Sequence, residues 1–220
     1  MDTPIVALLQ EIGIVVEDGT STSLRDIGNA EWTKRVEGKH WWGVEGFGQP
    51  TTAISLEDGL LLYAMVLALK PKVCVEIGTH QGFSTCLIAA ALKDNRQGKL
   101  HTFDIDSVVS DKAKLNAIRY QVAERVKFYT KEWEIVKVSP SIAPIDFFFD
   151  DSSHTADEVR IAIRTVAPFL SPDAHLAIHD GMLLDSVQEG IRQALPVLGN
   201  TEVINIGTCR GMTVIRRIEE

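Results

Sequence analysis

Cysteine is scarce in this chain, and what there is lies scattered. Cys74, Cys86 and Cys209 form no Cys-x-x-Cys spacing, so neither a disulfide framework nor a zinc ribbon is expected. The first two sit in apolar runs and read as buried thiols. Basic charge is also short: 22 lysines and arginines face 30 aspartates and glutamates, for a net −8. That balance argues against non-specific binding to phosphate backbones or anionic membranes. No apolar run approaches a bilayer's thickness, since the longest, residues 60–69, is about half a span. The first residues carry Asp2 and Glu11 around a short apolar stretch. With neither a basic leader nor a small-residue cleavage site, no signal peptide is expected, and the reading is a soluble, cytoplasmic chain.

What is present fits one ordinary globular domain with an appended arm: 220 residues, 45% hydrophobic and 24% charged, enough to bury a core without staples. Residues 1–54 are turn-rich and hold Trp32, Trp41, Trp42 and Phe47. This aromatic cluster reads either as a lid over an acceptor or as a packing patch against the domain or a second subunit. From Ser55 onward, short apolar runs alternate with helical patterns. Strands are expected at 73–77, 100–103, 126–129, 145–149 and 174–178, with helices at 55–69, 83–92, 111–123, 153–167 and 182–195. Strands apolar throughout belong to a parallel sheet covered on both faces, and strict alternation with helices gives a doubly wound α/β fold. The end breaks the pattern. Runs at 202–208 and 212–218 are joined only by Cys209-Arg210-Gly211, a hairpin that makes the last strand antiparallel. The expectation is a mostly parallel seven-stranded sheet with a C-terminal antiparallel hairpin.

Ligands of an open parallel sheet bind beyond the carboxyl ends of its strands. Reading what leaves each strand gives Glu76, then Asp104 and Asp106, then Asp150 and Asp151, then His179 and Asp180. Such carboxylates gathered at one edge repel and need a cation or hydrogen-bond donors. After the first strand comes Glu76-Ile-Gly78-Thr79-His80-Gln81-Gly82-Phe-Ser84. Two glycines four apart, ahead of a helix, let a ligand approach backbone N–H groups. The dinucleotide pattern G-x-G-x-x-G is missing, as is the Gly-Lys-Ser/Thr of a P-loop. An NAD- or nucleotide-binding oxidoreductase is therefore the weaker rival. Asp104, on the second strand, is placed to accept from a ribose diol.

These motifs resemble the class I S-adenosylmethionine-dependent methyltransferases over residues 55–218, and within them the small-molecule O-methyltransferases of the catechol and macrolide-sugar type. Gly78-Thr-His-Gln-Gly82-Phe-Ser84 is similar to their G-x-x-x-G-Y-S loop. Leu100-His-Thr-Phe-Asp104-Ile-Asp106 is similar to their second strand, and Ile145-Asp-Phe-Phe-Phe-Asp150-Asp151 to their D-x-V-F-x-D strand, a register that favours Asp151 over Asp150. The resemblance implies S-adenosylmethionine as cofactor, bound by Glu76, Gly78, Thr79, Gly82, Ser84 and Asp104. Trp133 falls where the adenine pocket is built, or is an ordinary aromatic. It also implies a magnesium ion on Asp151 and Asp180, with His179 and Asp151 as the catalytic pair.

Two departures stand out. Gly181 follows Asp180 where the catechol branch has an asparagine ligand, and His179 stands where related antibiotic-pathway enzymes have an acid. If no metal binds, His179, or alternatively His154, takes the acceptor's proton; His154 reads equally well as a local helix-start residue. The implied partners are a small phenolic or sugar acceptor and a second copy of the chain. Nucleic acid is not expected, because the fourth strand lacks a base-flipping Asn/Asp-Pro-Pro-Tyr/Phe motif. A non-catalytic homologue is the remaining alternative.

Overall fold

The computed structural model of the chain describes residues 16–17, 20–21, 54–130, 142–208 and 210–218. Trp133, Cys209 and the aromatic cluster of the arm lie outside them; of the arm, only a two-stranded pair, Val16–Glu17 with Thr20–Ser21, is described.

Seven strands form the main sheet: β1 (Val73–Ile77), β2 (Lys99–Phe103), β3 (Val126–Tyr129), β4 (Ile145–Asp150), β5 (Leu170–His179), β6 (Thr201–Ile206) and β7 (Met212–Arg217). Their spatial order is β3-β2-β1-β4-β5-β7-β6. The first five are parallel, and β7 runs antiparallel to both β5 and β6. This is the expected doubly wound sheet with its terminal hairpin. The order reverses between β1 and β4, which is where such a sheet opens a crevice.

Five helices cover the faces: α1 (Leu56–Leu69), α2 (Phe83–Asp94), α3 (Ser107–Arg119), α4 (Ala156–Val166) and α5 (Asp185–Ala194). The three phenylalanines of β4 show why the strand is apolar throughout. Phe147 and Phe149 pack with Leu62, Met65 and Leu87 under α1 and α2, while Phe148 packs with Ile163 and Val187 under α4 and α5. All three are fully buried, so both faces of the strand are core. Cys74 and Cys86 are free, buried thiols. Among the described residues no helix is long and apolar enough to cross a membrane.

Two elements start four residues earlier than the sequence expectation. Helix α3 starts at Ser107 rather than 111, because Asp106 caps it by accepting from the N–H groups of Val108 and Val109. Its apolar residues Val108, Leu115 and Ile118 are exposed, so they blur the apolar stripe that would mark a helix start. Strand β5 begins four residues early, at Leu170. Pairing with β4 slips between Ile145 and Phe147, and that irregularity accommodates Ser171-Pro172-Asp173, residues that read as a turn.

Candidate active site

The carboxyl ends of β1, β2, β4 and β5 share one edge, and the antiparallel β7 begins there, with Met212 opposite His179. The hairpin loop before β7 therefore brings Arg210 to the same edge. Helix α1 adds Asp58 from its first turn, where Ser55 caps the helix by accepting from the Asp58 N–H.

The loop after β1 is built from inside. Glu76 is fully buried and accepts from the hydroxyls of Ser84 (2.5 Å), Thr85 (2.6 Å) and Thr102 (2.7 Å). Burial pushes its carboxyl up to about 7 against those hydrogen bonds. Thr79 and Thr102 share a 2.6 Å hydroxyl contact. Glu76, Thr79 and Ser84 thus tie β1, β2 and the start of α2 together. Their polar atoms face one another, so Glu76 and Ser84 bear on a ligand through the loop they hold rather than by pointing at it. Backbone N–H groups of the first turn of α2 remain for a ligand.

Both loop glycines have left-handed backbones, Gly78 at φ +93° and Gly82 at φ +84°. A Cβ on Gly78 would stand 2.4 Å from the Asp151 carbonyl oxygen, and one on Gly82 would stand 2.9 Å from the Ala113 Cβ. Close packing of the chain on itself, at the junction of the β1 and β4 loops, is what requires the first glycine. Asp104 is oriented by backbone alone: the His80 N–H donates to Oδ2 at 2.8 Å and the Asp106 N–H to Oδ1 at 2.9 Å. Each oxygen keeps acceptor capacity for a ligand hydroxyl.

Beyond β4 and β5 lies a buried ionic cluster. His179, 4% exposed, directs Nδ1 to Asp151 Oδ1 at 2.9 Å and Nε2 to Asp58 Oδ2 at 3.4 Å. Burial opposes charge on this imidazole, but the two carboxylates outweigh it and push its pKa up to about 10. Asp58 is held below the usual carboxylate range, since the His179 contact overcomes the effect of burial. Both nitrogens of the His179 ring are thus engaged by carboxylates in this arrangement. Asp150 turns away, accepting from the Ser152 N–H (3.1 Å) and hydroxyl (2.7 Å), and Asp151 is the acid that reaches the cluster.

Asp180 is fully buried, and both its oxygens are engaged. Arg210 donates to them from Nε and Nη2, each at 2.8 Å, and His154 Nε2 lies 2.9 Å from Oδ2. A magnesium ion requires near-octahedral oxygen ligation. Here one of the two expected ligands is closed by a guanidinium and the other, Asp151, is shared with His179. Among the described residues no group of three or more His, Cys, Asp or Glu side chains could hold a metal ion. The residues present do not fit the expected magnesium.

Asp58 and Arg210 escaped the sequence reading. Asp58 followed Ser55 at capping-box spacing, which a helix start explains fully. Arg210 sat in the hairpin loop, whose return to the ligand edge follows from the antiparallel last strand.

Residues 75–181 match the family described as a methyltransferase domain. A catechol O-methyltransferase of Niastella koreensis is 29% identical over 167 residues, which are 71% of this chain and 75% of that protein. Among solved structures, the S-adenosylhomocysteine-bound Podospora anserina methyltransferase PaMTH1 superposes with TM-score 0.71 at 18% identity, covering 94% of this chain and 100% of that one. The O-methyltransferase TomG of Streptomyces achromogenes, involved in tomaymycin synthesis and solved with S-adenosylmethionine, gives 0.64 at 20% identity, covering 97% and 96%. The match over residues 75–181 and the shared fold agree: this stretch of the chain is similar to methyltransferase domains, and the sheet with its terminal hairpin has the fold of these solved structures.

Proposed function

We propose that the chain moves a methyl group from S-adenosylmethionine to a hydroxyl of a small molecule, with a phenol or a natural-product hydroxyl as acceptor. The observation that carries the cofactor part is Asp104, a carboxylate fixed by two backbone N–H groups beside a glycine loop and a helix start. That is the geometry a ribose diol needs. The acceptor part draws support from the names of two similar proteins, a catechol O-methyltransferase and an O-methyltransferase involved in tomaymycin synthesis.

S-adenosylmethionine supplies an electrophilic methyl carbon on a sulfonium centre. The chain's residues position and deprotonate. Asp104 holds the ribose, and the 78–82 loop with the first turn of α2 receives the amino-acid end. Glu76 keeps that loop in place from behind. His154, about half exposed, directs Nε2 to Asp180, which fixes the proton on that nitrogen and leaves Nδ1 to take the acceptor's proton. His154 replaces His179 as the base in this reading.

Two measurements test it. Asp104→Ala should weaken S-adenosylhomocysteine binding at least tenfold by calorimetry while the protein stays folded, because a carboxylate serving two hydroxyls is lost. Unchanged affinity would reject the ribose assignment. His154→Ala should lower kcat about a hundredfold, within the range for losing a general base, with cofactor affinity unchanged. Labelled methyl donor against catechols, flavonoids and glycosylated hydroxyls supplies the assay. Full turnover by the variant would remove His154 from the chemistry.

A further inference from the structure

We infer that Arg210 takes the place of a divalent cation in this site: its guanidinium neutralises Asp180 and holds the ionised oxygen of the acceptor, so the reaction needs no metal. The inference rests on the methyl-transfer reading above and extends it to how the acceptor is activated.

Two independent observations carry it. The first is the bidentate pairing. Arg210 Nε and Nη2 each stand 2.8 Å from a separate oxygen of Asp180, a carboxylate that is itself fully buried. The matched fork and carboxylate make this a strong ion pair with fixed geometry. The arginine side chain is 38% exposed, so part of it remains accessible to a ligand. Of five guanidinium N–H groups, two are engaged by Asp180, leaving Nη1 and the second Nη2 hydrogen for a ligand.

The second observation is steric. Gly181 stands where the catechol branch carries an amide ligand, and the space such a side chain would enter is filled. A Cβ built there would lie 2.3 Å from Thr213 Oγ1, 2.7 Å from Thr213 Cβ and 3.0 Å from the Thr213 backbone nitrogen. Thr213 belongs to β7 and is anchored by a 2.8 Å hydrogen bond to Asn205 on β6. The strand that closes off the third ligand position follows directly from the loop that delivers Arg210. One structural feature, the terminal hairpin, both removes a metal ligand and supplies a cation.

The step balances without a metal. The acceptor hydroxyl gives its proton to His154 Nδ1, and free guanidinium N–H groups donate to the resulting oxyanion. The oxygen then bonds to the methyl carbon as the carbon–sulfur bond breaks. The sulfur keeps that electron pair, leaving S-adenosylhomocysteine.

The decisive experiment titrates the full-length protein with manganese chloride and follows the free-ion paramagnetic resonance signal, with and without S-adenosylhomocysteine. The expected result is no binding below millimolar concentrations, the same in wild type and Asp180→Asn. Micromolar binding that Asp180→Asn abolishes would overturn the inference. This readout needs no acceptor, and calorimetry with S-adenosylhomocysteine alone tests the methyl-transfer reading separately, so the two can fail independently. With an acceptor in hand, metal-stripped enzyme should keep full turnover. Arg210→Met should lose about a hundredfold in kcat, as for a removed oxyanion donor, with S-adenosylhomocysteine affinity unchanged. Arg210→Lys, which keeps the charge for folding but not the fork, should also fall at least tenfold. Wild-type turnover by either variant, or turnover abolished by chelator, rejects the role.

Discussion

Gly78→Ala should cost more than about 4 kcal/mol of stability, while Gly199→Ala should cost only about 1–3 kcal/mol. Both glycines hold positive φ, +93° and +77°, so both substitutions carry the strain of a side chain in that region. They differ in what a Cβ would meet. At Gly199 nothing lies within 4 Å, whereas at Gly78 the Asp151 carbonyl oxygen is 2.4 Å away and its carbon 2.7 Å away. These are backbone atoms, held by a 3.0 Å hydrogen bond from the Asp151 N–H to Ile77, and they cannot rotate aside as a side-chain tip would. Either the β1 loop or the Asp151–Ser152 segment must shift, and each carries candidate site residues. Urea unfolding of the two variants isolates the packing contribution as their difference. A thermal midpoint lowered by about 10 °C or more at Gly78 matches that cost for a chain of this size. Equal losses at the two positions would mean that strain alone matters and that the loop junction is loose.

Local chemistry made much of this arrangement readable beforehand. Apolar strands such as Phe147-Phe148-Phe149, covered on both sides, could only be parallel-sheet interior. The loop Cys209-Arg210-Gly211 was too short for anything except a hairpin. The strand-end acids emerged at one edge because parallel strands put all their carboxyl ends there. What escaped is long-range pairing. His179 meets Asp58 across 121 residues of chain, and Arg210 meets Asp180 across 30. Periodicity and spacing carry no information about which charge faces which. The same holds for the metal expectation: a ring of acids implies a cation, but its identity depends on contacts such as Arg210 with Asp180, visible only in three dimensions. Glu76 and Ser84 show the same limit. Their spacing marked a ligand loop, and folding turned both side chains into its internal frame.

The arrangement around His179 makes a second large effect measurable. His179→Gln should destabilise the protein by about 3–5 kcal/mol, the usual cost of removing one partner from a buried ionic group. It leaves Asp58, fully buried, and Asp151 without the cation between them. The pH dependence separates this from ordinary loss of packing. The folded imidazole has its pKa raised to about 10, against about 6.5 in the unfolded chain. A group whose pKa is higher in the folded state contributes its full stabilisation below the unfolded value and loses it as pH climbs toward the folded one. Wild-type stability should therefore fall between about pH 6.5 and pH 10, by an amount on the order of a few kcal/mol. The glutamine variant should be nearly flat from about pH 6.5 to 8; above that the buried Cys74 and Cys86 thiols, pushed up by burial, lower both proteins alike and cancel in the difference. The gap between the two proteins is then widest near neutrality and closes in alkali. Glu76, with its carboxyl raised to about 7, loses its contribution mainly below neutrality and is present in both proteins, so it cancels in the difference. Chemical unfolding in steps of pH measures the curve. A wild-type profile that is level from neutrality to pH 10, or a glutamine variant that keeps the wild-type slope, would show that His179 is buried neutral. It would then be free to act as the base that its charged neighbours otherwise forbid.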